Sequence, residues 1–237
     1  MLFYWLLLML GLFVLIWYIY EKCKGFSVKE TILKSTVSAI FMIVATVTLF
    51  QFSKHGSSLT MPYFLIAGCL FGLLGDIWLD LKFVHREDET LYTFAGFCEF
   101  GIMHITVIVG LIVNYAVISR VLYIIIPLIL GMIIGAINVS LDKIMKLDYG
   151  KYKFISGVYG GILISTTLLI ASLAIMNSLH NSALNLAFVG YVLFLASDLV
   201  LSQTYFAGKG ENPYIIANYA TYYPAMFILA SVGLLIY

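Results

Sequence analysis

Asp76 and Asp198 lie inside long apolar runs, in Gly-Leu-Leu-Gly-Asp-Ile-Trp-Leu and Phe-Leu-Ala-Ser-Asp-Leu-Val-Leu. An ionised carboxylate in a bilayer interior costs several kcal/mol unless it is paired, so such residues usually have a task. Each follows a small residue, Gly75 or Ser197, and an aromatic, Phe83 or Phe206, comes after each at similar distance. Two carboxyls in matched settings point to a reaction or transport centre. Other polar groups share similar depth: Glu99 and His104 in one run, and Asn218, Tyr219, Tyr222 and Tyr223 in another. Lys34 and Lys82 stand near the ends of two more and reach toward a lipid phosphate by snorkelling.

Each residue also has a plainer explanation. Either Asp could hydrogen-bond across helices, a common and modestly stabilising contact. The tyrosines could form an interfacial belt, and Lys34 and Lys82 could be ordinary flanking cations. Asp80, one turn beyond Asp76, sits near the interface and is expected to face water. Gly68 and Gly72 make a small-xxx-small face for close helix packing. A zinc site usually needs three protein ligands, often histidines. Here His104 is the one histidine within a run, since His55, His85 and His180 fall in loops, so no metal is assigned. Cys23, Cys69 and Cys98 form no C-x-x-C pair.

These residues must be positioned by membrane helices. The chain is 62% hydrophobic and 11% charged, with no polar stretch long enough for a soluble domain. A net charge of +1 gives no footing for nucleic acid. Apolar windows of spanning length run 2–20, 35–52, 63–81, 92–115, 121–138, 154–177, 185–206 and 214–236. Lipid offers no partner to backbone N–H and C=O groups, so the fold class is all-α. We expect a polytopic bundle of eight transmembrane helices forming a single domain, 1–237. The first run lacks a basic leader and a small-residue cleavage site, and reads as a retained helix.

Basic residues separate by side. Lys22, Lys24, Lys29, Lys34, Lys82, Arg86, Lys143, Lys146, Lys151, Lys153 and Lys209 all fall after odd-numbered spans, leaving Lys54 and Arg120 opposite. The positive-inside rule then puts both termini outside and gathers the polar groups in the cytoplasmic half. The echo between spans three and seven suggests a four-plus-four parallel repeat, which would bring the two Asp-bearing helices together. The two carboxyls are then expected to meet in a shared pocket and share a proton.

The arrangement resembles the YhhN family of multi-pass membrane lysoplasmalogenases. The likeness is carried by Gly75-Asp76; Gly96, Phe100 and His104 spaced by four; Phe194, Ser197-Asp198 and Phe206; Tyr222-Tyr223; and Lys34 opening span two. Met226 stands where the family tends to place glutamine, Pro224 interrupts span eight, and Glu99 and Asp80 lie outside the shared pattern. The resemblance implies hydrolysis of the vinyl-ether bond of a lysoplasmalogen, choline or ethanolamine type, to a fatty aldehyde and a glycerophospho-alcohol. Asp76 and Asp198 would be catalytic. His104, Lys34, Tyr222 and Tyr223 of the shared pattern would serve substrate binding, joined on the reading of depth and charge by Glu99, Lys82, Asn218 and Tyr219. Vinyl-ether cleavage begins with protonation of the β-carbon; a carboxylic acid supplies the proton and an ionised neighbour stabilises the oxocarbenium ion, as in glycosidases. No metal or organic cofactor is needed. The expected partners are a lysophospholipid substrate and the bilayer, in a bacterial plasma membrane or, in a eukaryote, the endoplasmic reticulum.

The rival reading is a proton-coupled transporter of a small lipid or organic cation using the same acids. It requires access from the outer side, where the spans carry few polar groups. A lipid-binding scaffold would leave the twin acids without a purpose.

Overall fold

The computed structural model describes residues 2–53 and 60–235. Lys54 and His55, assigned to an outer loop, lie outside the described residues. The helices are α1 (Leu2–Lys22), α2 (Val28–Ser53), α3 (Thr60–Val84), α4 (Glu89–Tyr115), α5 (Leu122–Ser140), the short α6 (Asp142–Met145), α7 (Lys153–Met176), α8 (Ser182–Phe206) and α9 (Asn212–Ser231). Among the described residues, eight helices are long and apolar enough to cross a membrane. Their lipid-facing surface is dense in bare apolar side chains such as Phe13, Ile126 and Ile129, the inverse of a water-soluble exterior.

Local chemistry explains several boundaries. Asn181 caps α8 by accepting from Leu184 N–H at 3.0 Å. Pro213 occupies the first turn of α9, where its missing N–H costs nothing. Pro224 does not interrupt span eight: α9 runs through it to Ser231. Neighbouring helices stabilise proline-containing spans in lipid by surrounding the freed carbonyl. Span two also begins earlier than expected, at Val28, which carries Lys34 well inside α2.

Six helices close a ring in which each touches the next: α2, α3, α4, α7, α8, α9 and back to α2. α1 packs outside on α2 and α9, and α5 packs outside on α7. The ring is closed by α4 against α7 and by α9 against α2.

Close approach depends on glycine at two seams. Gly68, Gly72 and Gly75 line the α3 face packed on α4; a Cβ at Gly75 would sit 2.8 Å from the Phe100 ring. At the second seam, Gly131 of α5 presses on Ser165 of α7, and Gly135 presses on Gly157 and Gly161. A Cβ at Gly135 would lie 2.5 Å from Gly161 Cα, which is backbone and cannot turn aside. Gly135→Ala should therefore push α5 off α7 and destabilise the protein by about 1–3 kcal/mol. Thermal unfolding in detergent measures this, and an unchanged midpoint would refute the close-contact account.

Candidate functional site

Inside the ring, α2, α3 and α9 hold a buried charged cluster. Lys34 Nζ lies 2.9 Å from Asp80 Oδ1 and 3.5 Å from Asp76 Oδ1. Helical spacing accounts for the pair of acids: Asp76 and Asp80 are four apart and stack on one face of α3. Lys34 is 4% exposed and Asp80 2%, so neither is the water-facing interfacial residue expected from its place in the sequence. Buried from bulk solvent, the Lys34 ammonium takes its partners from α3, and Asp80 is drawn inward with it.

Asp76 is held from two further helices. Ser38 on α2 donates to its Oδ2 at 2.6 Å, and Tyr222 on α9 donates to the same oxygen at 2.8 Å. Tyr223 turns to α2, where its hydroxyl lies 3.3 Å from Ser38 Oγ and 3.4 Å from Lys34 O. Adjacent positions on α9 point in different directions, so the tyrosine pair divides its work.

Asp198, on α8, has different surroundings. Its Oδ2 accepts a hydrogen bond from Tyr159 of α7. Among the described residues, no cation comes within ion-pair distance of it and no hydrogen bond links it to Asp76. The expected sharing of a proton between the two carboxyls is therefore corrected: each is taken by hydroxyls of other helices. What they share is space. A cavity of about 120 Å³ is lined by both, with Lys34, Tyr159, Ser197, Tyr219 and Tyr222 in its polar wall and Phe97, Phe100, Leu163 and Phe194 in its apolar wall. The ring topology achieves this by setting α3 and α8 on opposite sides of one central space.

The remaining residues separate. Asn218 is buried, donates to Ser197 O at 3.0 Å and lines the cavity. Tyr219 lines it as well, with Lys34 Nζ 5.9 Å from its ring centre. His104 does not line it. That imidazole is fully buried among Tyr159, Tyr191 and Phe194, with Nδ1 3.3 Å from the Tyr191 hydroxyl, and it backs the cavity wall. Glu99 is half-buried and also stands off the cavity. Lys82 lines a second, larger space of about 770 Å³ that shares Tyr149, Leu201, Tyr205, Phe206, Asn218 and Tyr219 with the first. Met226 is fully buried and presses its methyl toward Gly72.

Three contributors were missed in the sequence: Ser38, Tyr159 and the inward Asp80. Ser38 lies four residues after Lys34 and was legible as part of that helix face. Tyr159 carried no signal, since hydroxyl-bearing aromatics abound in this chain. Among the described residues no three of His, Cys, Asp and Glu converge as metal ligands do.

The YhhN family model matches residues 30–232. The chain belongs to the YhhN family. No curated protein and no solved structure matches it. The matched stretch opens at Glu30 and so contains every residue of the charged cluster, both carboxylates and the two cavities' polar walls except Lys22 and Gly25. In this YhhN protein α1, which contributes nothing to the inner cavity's lining, falls outside the match.

Proposed function

We propose that this membrane protein hydrolyses the vinyl-ether bond of a lysoplasmalogen, the activity that the family resemblance implies. The observation that carries the reading is one apolar-walled cavity with two carboxylates in unlike surroundings on opposite sides. Paired acids do acid and base chemistry when their environments differ.

Asp198 has a hydroxyl partner and, among the described residues, no cation within ion-pair distance, which suits it to carry a proton and deliver it to the vinyl β-carbon. That step forms a C–H bond and leaves an oxocarbenium ion at the carbon joined to oxygen. Asp76, anchored by Lys34, Ser38 and Tyr222, is suited to hold negative charge facing that cation. Water adds to the cationic carbon and gives up a proton to a carboxylate. The resulting hemiacetal collapses to aldehyde and glycerophospho-alcohol. Tyr159 orients Asp198, and the Phe100, Phe194 and Tyr222 rings border the reacting chain.

The inner cavity holds the reacting segment and not a whole lipid, since drug-sized ligands occupy roughly 300–1,000 Å³. Its wall reaches the outer surface at half-exposed Leu199 on α8 and at Gly160 on α7, giving the tail a route to the bilayer. A Cβ at Gly160, which lines the cavity, would meet nothing within 4 Å, so a side chain starts there without a clash. Gly160→Phe should keep the protein folded yet lower turnover of a long-chain lysolipid about tenfold, with a short-chain analogue affected less. Equal turnover of both chain lengths would refute this tail route.

The basic loops after α1, α3 and α5 surround the larger space, which the positive-inside bias turns to the cytoplasm, with both termini outside. A bacterial plasma membrane is the proposed location. The deciding experiment incubates purified protein with lysoplasmenylcholine and lysoplasmenylethanolamine and measures released aldehyde. No aldehyde from either would turn the proposal toward proton-coupled transport.

A further inference from the structure

The larger space is walled by the ends of several helices and by their connections: Lys22, Phe26, Lys82, Glu89, Lys151 and Tyr205 represent them. Its cations are not alike. Lys22 is committed to Glu30 at 2.5 Å, and deeper in, Lys34 is committed to Asp80. Lys151 donates to Thr90 Oγ1 near the rim. Lys82 has no carboxylate within ion-pair distance and no hydrogen-bond acceptor among the described residues. It is nonetheless 6% exposed. Its Nζ rests 3.5 Å from the Tyr205 ring centre and 4.9 Å from that of Phe83. Aromatic faces hold an ammonium in place but leave its three N–H donors unspent.

A buried cation held at a cavity wall without a counter-ion is an anion site awaiting its anion. Glu89 and Asp148 also line the space, but both are exposed, and Asp148 already accepts from Gly150 N–H at 3.1 Å. The shared wall of Tyr205, Asn218 and Tyr219 joins Lys82's space to the cavity that holds the two carboxylates. We propose that Lys82 is the phosphate-anchoring residue of this protein, fixing the head-group phosphate of a single-chain amphiphile whose reacting segment lies between Asp76 and Asp198. This rests on the reading above for the occupant of the inner cavity, while phosphate recognition itself is separable from hydrolysis. Lys82 is a specificity-determining residue, remote from the reacting bond: a lipid lacking the phosphate would lose its anchor but not its chemistry.

Binding to the full-length protein in nanodiscs tests this with two labelled probes of equal chain length, an alkylphosphocholine and a 1-alkylglycerol. Lys82→Met, which keeps the aliphatic stem, should weaken the alkylphosphocholine about tenfold or more and leave the alkylglycerol within about twofold. Lys82→Arg should restore most of the difference. Unchanged alkylglycerol binding certifies that the variant is folded. Equal weakening of both probes, or of neither, would overturn the proposal. Inorganic phosphate that competes with wild type as well as the amphiphile does, but not with Lys82→Met, would assign the site to free phosphate and overturn the lipid assignment. The two readings fail separately. Probe selectivity without aldehyde release sinks the hydrolysis; aldehyde release by Lys82→Met at unchanged KM sinks the anchor.

Discussion

Asp198→Asn is expected to lower aldehyde release from a lysoplasmalogen by about 10³-fold, the scale of general acid catalysis. Asparagine keeps the shape and the Tyr159 contact but has no proton to deliver to carbon. Asp76→Asn should also lose most activity, for a different reason: the oxocarbenium ion would face a neutral amide in place of a carboxylate, while Lys34 keeps its closer partner Asp80. A measurement in heavy water separates proton delivery from other losses. Wild-type protein should place one deuterium on the carbon next to the aldehyde and show a normal solvent isotope effect. Both variants should elute from size exclusion and melt as wild type does within a few degrees. Full activity in Asp198→Asn, with the fold intact, would remove that carboxyl from the acid role.

Lys34→Met is expected to have the largest effect on stability. The ammonium sits between Asp76 and Asp80, four residues apart on α3, and all three side chains are buried. Removing it leaves two carboxylates without a cation in a low-dielectric interior, a loss on the order of 3–5 kcal/mol. Adding Asp80→Asn to Lys34→Met should recover a large part, because the uncompensated charge is then halved. The non-additivity of that pair, read from thermal unfolding in detergent, is the coupling between them. If Lys34→Met melts with wild type, the cluster is not an internal ion pair in the membrane-embedded protein.

Much of the arrangement was legible from residue order. Continuous apolar runs without period-2 alternation dictate spanning helices, because lipid cannot hydrogen-bond the backbone. The carboxylates stood out because their surroundings made them expensive. Lys34 was harder to place. Near the end of a span, lysine ordinarily means an interfacial cation, and only the longer α2 reveals it inside. His104 misled in the other direction: a histidine at membrane depth draws attention, yet its packing against Tyr159, Tyr191 and Phe194 makes it support for a wall. The α5–α7 glycine seam was also legible, in Gly131-x-x-x-Gly135 and Gly157-x-x-x-Gly161, and was overlooked beside the Gly68–Gly72 face.

Residue order alone determined the all-helical membrane class, the number of spans, the crowding of basic loops and the presence of two costly acids. Those follow from local transfer energies, which depend on what each segment is and not on what it meets. Tertiary structure alone decided which groups touch. It set Asp76 with Lys34, Ser38 and Tyr222, gave Asp198 to Tyr159, drew Asp80 inward and rested Lys82 on the Tyr205 ring with no ion-pair partner among the described residues. Hydrogen bonds and ion pairs act over a few ångströms between helices far apart in the chain, so partner choice is written in the packing of the ring.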